Sequence, residues 1–216
     1  GMKAWGENFR SLMEVHPTFV DADSALAGRY MKYMFGCYRG WCPDFDISHL
    51  REDHKRYGLV HGIGGPHHFA ADLAMGLSLG FDGLLEKIER CRANHGPGKA
   101  EFFDAERNIV LGIQSWIGRT VDAIHGQLAG ESDPERQANL REMAEANEHV
   151  LHHPPRTLRE ACQWLAWYLM ATRIYNGNGS GGQLDELLRP YYEADLAAGR
   201  IDDDQAVWII ASLLLA

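Results

Sequence analysis

The sequence predicts an all-α fold, and three observations carry that reading. Apolar residues recur at three- and four-residue steps through most of the chain. Helix-start signals, an Asp or Thr ahead of Pro, Glu or Gln, stand before several of those runs. No alternating apolar–polar stretch of comparable length occurs, residues 57–63 coming nearest to one. With 216 residues, 45% apolar and 24% charged, the chain has the size and balance of one globular domain.

Trp5, Phe9, Leu12 and Met13 share one face of a first short helix that ends before Pro17. Asp23 is placed to cap a second, along which Leu26, Tyr30, Tyr33 and Met34 recur. Residues 36–65 hold Pro43 and several glycines, and read mostly as loop with short turns. Pro66 suits a first helical position, where its missing N–H costs no intrahelical bond. Gly76, Gly80 and Gly83 punctuate the next stretch and predict a break before a helix over 83–93. The longest buried face is marked by Phe102, Ile109, Ile113, Trp116, Ile117, Val121, Ile124 and Leu128. Asp133 before Pro134 and Glu135 opens a further helix reaching His149, and Pro154 and Pro155 stop it. Thr157 and Glu160 form a capping box ahead of a helix so apolar on several faces that neighbours must enclose it. After the glycine-rich run 176–182, Pro190 suits another first helical turn and Gly199 a left-handed closing cap. Asp202 and Gln205 start the last helix, whose apolar run reaches Ala216 without a polar tail. We read 1–216 as a single helical domain truncated at its C-terminus.

Thirty acidic against twenty-one basic residues give a net charge of −9, which argues against nucleic acid or an anionic membrane as partner. No apolar run approaches a membrane span, and no basic-then-apolar leader occurs, so the expectation is a cytoplasmic protein. Gly1 before Met2 resembles a tag-cleavage scar. Cys37, Cys42, Cys91 and Cys162 are too scattered for a disulfide framework or a zinc site.

Motif chemistry alone is weak. The run 176–182 lacks the preceding strand and following Lys-Ser/Thr of a phosphate loop. His68 and Asp72 share a helical face, as do Asp122 and His125, while His149, His152 and His153 cluster at a helix end. A di-metal bundle needs Glu-x-x-His pairs, which are absent, so capping or solvated histidines are the expected reading. His67 and His68 beside Gly64 and Gly65, with Asp72, form the most site-like group, because glycines let a ligand approach the backbone. Neither GxSxG nor HExxH occurs.

A longer pattern is more specific. Pro154-Pro-Arg-Thr-Leu-Arg-Glu-Ala-Cys-Gln163 leads through an apolar helix to Asn176-Gly-Asn-Gly-Ser-Gly-Gly-Gln-Leu-Asp185, then to Pro190-Tyr-Tyr-Glu-Ala-Asp195 and a short Gly199 link. In order and spacing, residues 154–202 closely resemble the pyruvate formate-lyase family of glycyl radical enzymes. A weaker likeness reaches back through His68 and Gly80. The resemblance implies that Asn176, Gly177, Ser180, Gly182, Asp185, Pro190, Tyr191, Tyr192 and Asp195 are turn and scaffold residues. Gln183 stands where the family usually has arginine, and it carries neither that charge nor that bidentate fork.

The resemblance further implies a ten-stranded α/β barrel wrapped by helices, of which this chain is part of the helical N-terminal half. The family's glycyl radical and active-site cysteine belong to parts this sequence lacks, so no catalytic residue, metal or cofactor is expected in the chain itself. A complete member is implied to need a radical S-adenosylmethionine activating enzyme. The expected function is a catalytically incomplete fragment of such an enzyme. The alternatives are a stand-alone helical interaction module, self-associating through the apolar end near 207–215 as a homodimer, and a metal-binding helical protein using His68, Asp72 or the 149–153 histidines.

Overall fold

The computed structural model describes residues 1–29, 51–56, 71–175 and 181–216. The described residues contain helices and turns and no strand. In chain order the helices are α1 (Met2–Val15), α2 (Arg51–Arg56), α3 (Leu73–Ala93), α4 (Ala100–Gly130), α5 (Pro134–Val150), α6 (Leu158–Tyr175), α7 (Leu184–Ala197) and α8 (Asp203–Leu215). A 3₁₀ turn, Pro97–Lys99, precedes α4.

The amphipathic α1 lays Phe9 and Met13 along α4, its most extensive neighbour. Within α4 the buried face is the expected one except at its start, where Phe103 turns inward and Phe102 stays 42% exposed. Phe102 keeps the same seven- and four-residue steps to Ile109 and Ile113, so helical phase alone does not separate the two; Phe103 has the Arg92 guanidinium of α3 over its ring, 5.8 Å from the centre. Helix α6 is the centre of the molecule. Leu158, Ala161, Cys162, Leu165 and Trp167 are fully buried, and α3, α4, α5, α7 and α8 all pack on it.

Several caps follow the sequence. Asp133 accepts from the Glu135 and Arg136 N–H groups at the start of α5. Asp202 and Gln205 form a full reciprocal box at the start of α8. Gly199, at φ 65°, closes α7, with the Arg200 N–H returning to the Asp195 carbonyl at 2.9 Å.

Other expectations are corrected. Asp23 starts no helix within residues 21–29: its N–H goes to the Asp21 carboxylate, and the chain there is an extended strap of turns and bends. Tyr30, Tyr33 and Met34 lie outside the described residues. A six-residue helix, α2, interrupts the stretch read as loop. The start expected at Pro66 also lies outside, and the described helix begins at Leu73 with Asp72 as its cap. The break expected before 83–93 is present: it falls at Gly80, whose φ of 64° and ψ of −179° kink α3. A side chain on Gly80 would stand 2.5 Å from the backbone of His153 and Pro154, so the kink is where α3 meets the turn after α5. Pro190 sits inside α7 rather than in its first turn, because the helix already starts at Leu184 with Asp185 and Glu186 in its first turn. The carbonyl that Pro190 leaves without a donor is that of Glu186, an exposed residue water can reach.

Candidate functional site

The two motif segments of the C-terminal third meet at one carboxylate. Thr157 Oγ1 accepts the Glu160 N–H at 3.2 Å, as a capping box requires. The Glu160 carboxylate, however, goes to the Arg156 N–H at 2.7 Å and to the Arg156 guanidinium, not to Thr157. The box is therefore half made. The adjoining Leu158 N–H is taken instead by Asp195 Oδ2, 2.7 Å away on α7. Asp195 is 1% exposed, and its other oxygen accepts from Arg200 Nε at 2.7 Å. This carboxylate thus caps α6 from a neighbouring helix and fixes α7 to it.

Around it, Tyr192 donates its hydroxyl proton to Asp203 at 2.7 Å, tying α7 to α8, and Asp203 raises the phenol above its ordinary range. Tyr191 packs half-buried on the core, and burial raises its phenol too. Asp185 and Pro190 are exposed. Gly182 has φ 65°, and Gln183 precedes α7 without a side-chain capping bond. Asn176, Gly177 and Ser180 lie outside the described residues.

The histidines serve as local partners. His67 and His68 lie outside the described residues, while Asp72 accepts the Met75 N–H as a helix cap. His125 turns to Glu148 at 2.8 Å. His152 approaches Asp82 at 3.1 Å, and His149 Nε2 lies 2.9 Å from the Pro154 carbonyl. Among the described residues no cluster of three or more His, Cys, Asp or Glu side chains is arranged to hold a metal. No described helix is long and apolar enough to cross a membrane.

The densest polar network is one the sequence did not reveal, and it holds the strap 22–28. Gln163 Oε1 accepts the Ala27 N–H at 2.8 Å while its Nε2 donates to the Ala27 carbonyl at 3.0 Å. Asn147 donates to the same Gln163 oxygen and accepts from Trp167 Nε1. Arg159 donates to the Ala25 carbonyl and pairs with Glu142. Burial lowers its guanidinium to about 10, so it stays charged at neutral pH. Asn139 donates to the carbonyls of Ala22 and Ser24, and from α8 Ser212 Oγ accepts the Ala25 N–H. The signal in the sequence was slight: Gln163 and Arg159 are polar positions on a helix otherwise read as enclosed.

The end of the chain is apolar on two sides. A recess of about 400 Å³ is lined by Ala166, Leu169, Met170, Leu184, Leu213 and Leu214 among others. At its rim and beyond, Val207, Leu214 and Leu215 are 67–78% exposed.

Comparison with known proteins gives this architecture its relatives. The family described as pyruvate formate lyase-like matches residues 46–216. The chain belongs to that family. Isethionate sulfite-lyase of Desulfovibrio desulfuricans is 36% identical over 129 residues, covering 58% of this chain and 16% of that protein. The 4-hydroxyphenylacetate decarboxylase glycyl radical subunit of Clostridioides difficile is 26% identical over 147 residues, 62% of this chain and 16% of that one. A glycyl radical enzyme from Archaeoglobus fulgidus superposes with a TM-score of 0.78 at 19% identity, covering 98% of this chain and 35% of that one. This pyruvate formate lyase-like chain thus has the helical fold found in part of the glycyl radical enzymes, and spans about a third of such a solved chain. The matched stretch spans about a sixth of the curated relatives' length. Of the described cysteines, Cys162 is sealed inside α6, where burial raises its thiol to about 12, and Cys91 is half-buried on α3, with His95 Nδ1 2.7 Å from its carbonyl oxygen.

Proposed function

We propose that this chain is one helical domain, residues 1–216, serving as part of the N-terminal scaffold of a glycyl radical enzyme of the pyruvate formate-lyase type. It frames the barrel and leaves the chemistry to residues outside it. The reaction proposed for the complete enzyme is radical cleavage of a C–C, C–O or C–heteroatom bond in a small oxygenated substrate, begun by hydrogen abstraction. Relatives named for isethionate and 4-hydroxyphenylacetate support that class. A radical S-adenosylmethionine enzyme is the proposed activating partner. Asn176, Gly177, Ser180, Gly182, Asp185, Pro190, Tyr191, Tyr192 and Asp195 are proposed as scaffold, with Asp195 the joint between their helices.

The observation that carries this reading is coverage: nearly all of the chain superposes on about a third of a glycyl radical enzyme. Two measurements test it. The coding sequence downstream is expected to continue in frame through a cysteine loop to a radical glycine. The purified 216-residue chain, incubated anaerobically with a family activating enzyme and S-adenosylmethionine, is expected to give no glycyl radical signal by electron paramagnetic resonance. A radical signal from the isolated chain would overturn the scaffold assignment.

A second reading rests on the exposure of Val207, Leu214 and Leu215. As a separate polypeptide the chain would be an interaction module that self-associates through this face. A stop codon directly after Ala216 favours it.

A further inference from the structure

We propose that residues 22–28 form an internal latch, and that Gln163 is a positioning residue that sets the placement of α8 through it. The geometry is specific. Helix α8 packs closely on α6, and the strap takes bonds from both α8 and α5. From α5, Asn139 holds the Ala22 and Ser24 carbonyls at 2.7 and 2.8 Å, and Arg136 clasps the Asp23 carboxylate with two bonds. From α6, Gln163 pairs with both backbone groups of Ala27, and Arg159 holds the Ala25 carbonyl. From α8, Ser212 Oγ accepts the Ala25 N–H at 3.0 Å, and Trp208 Nε1 donates to the Asp23 carbonyl at 3.2 Å. Arg159 also lies over the Trp208 ring, 5.6 Å from its centre. One short segment therefore receives bonds from three helices, and most of them are to its backbone.

Two of the strap's own side chains help to hold it: Leu26 is buried in the core at 2% exposed, and Asp23 pairs with Arg136. Ala22, Ala25 and Ala27 are buried too, but each offers only a methyl group, so at those positions directional bonds to the backbone fix the segment. Such bonds stabilise modestly in balance with water, yet removing one partner strands a buried donor or acceptor. The network is closed on the Gln163 side: its oxygen serves Ala27 and Asn147 together, and Asn147 in turn serves Trp167 and the Met143 carbonyl. Losing Gln163 leaves both Ala27 groups unpaired at once, and the release passes along two residues to the Ser212 contact on α8. This behaviour distinguishes a latch from a surface loop that merely lies against the bundle.

Amide hydrogen exchange on the full 216-residue chain, with the Trp208 indole N–H followed by NMR, tests the latch. In Gln163→Leu, exchange is expected to quicken by about tenfold or more at Ala25, Ala27, Ile209, Leu213 and the Trp208 indole, with Ile113 and Ile117 of α4 unchanged. In Ser212→Ala, a milder change on α8, the Ala27 amide is expected to quicken although its own bond to Gln163 is intact. Release of the strap with α8 and the Trp208 indole unchanged would overturn the proposal. So would equal acceleration throughout α4 and α8. Should Gln163→Leu fail to fold, Ser212→Ala decides alone: an unchanged Ala27 amide refutes the latch.

Discussion

Asp195 is the single residue on which the two C-terminal motif segments depend. Asp195→Ala would leave the Leu158 N–H buried without an acceptor and Arg200 without its partner. We expect a loss of about 2–3 kcal/mol in urea unfolding, with little change in the denaturant slope. Asp195→Asn keeps an acceptor for the amide but not the charge, and should lose less. A second residue-scale prediction concerns acid. His16 is 2% exposed at the end of α1, with its ring 4.3 Å from that of Trp116 and its Nδ1 3.1 Å from the Pro17 carbonyl. Burial lowers its pKa below the ordinary 6.5, and Arg119 pushes the same way. Below 6.5 the unfolded chain therefore binds a proton that the folded chain resists. Stability should fall as pH drops from about 7 to 5, and His16→Gln should flatten that part of the profile in urea titrations at stepped pH.

The elements show what a sequence carries locally and what it leaves to the fold. Asp133, Asp202 with Gln205, and Gly199 were legible because each finds its backbone partners within a few residues. Glu160 was half legible: the Thr157 bond is local, but Arg156 competes for the carboxylate, and the next donor along, the Leu158 N–H, goes to a distant Asp195. The strap was not legible at all. Leu26 keeps a helical spacing with residues after it, yet the bonds that hold its neighbours come from positions more than a hundred residues away. Gly80 and Gly83 look alike in sequence, and only the approach of the turn at His153 and Pro154 decides which one bends. Gly80→Ala should therefore cost at least about 2 kcal/mol, whereas Gly83→Ala should cost far less, as thermal unfolding of the two variants would report. Exchange at the Asp82 amide, bonded to the His152 carbonyl at 3.1 Å, should quicken only in the first.

For the whole molecule, the family pattern over 154–202 was more informative than any pair of titratable residues. Two of its side chains bond between helices, Asp195 from α7 to the start of α6 and Tyr192 from α7 to α8, while Thr157 caps α6 itself. A motif of this kind marks a shared architecture and is silent about substrate. The exposed apolar face on α8 gives a prediction at the same scale. At micromolar concentration the isolated chain should elute larger than a monomer, and Leu214→Glu with Leu215→Glu should return it to one, read by light scattering on a sizing column. A strictly monomeric parent chain would count against the interaction-module reading.

Because helices grip the main chain of residues 22–28, selection should act on distant positions as well as on Leu26, buried in the core, and Gly28, whose φ of 88° and close Trp167 and Met170 leave no room for a side chain. Small side chains at 22, 25 and 27 can interchange among Ala, Ser and Gly with little consequence, but proline at 25 or 27 deletes an N–H that Ser212 or Gln163 needs. Among kindred chains the evolutionary imprint of this segment should therefore be written also at 139, 159, 163 and 212, far along the polypeptide from the residues it protects.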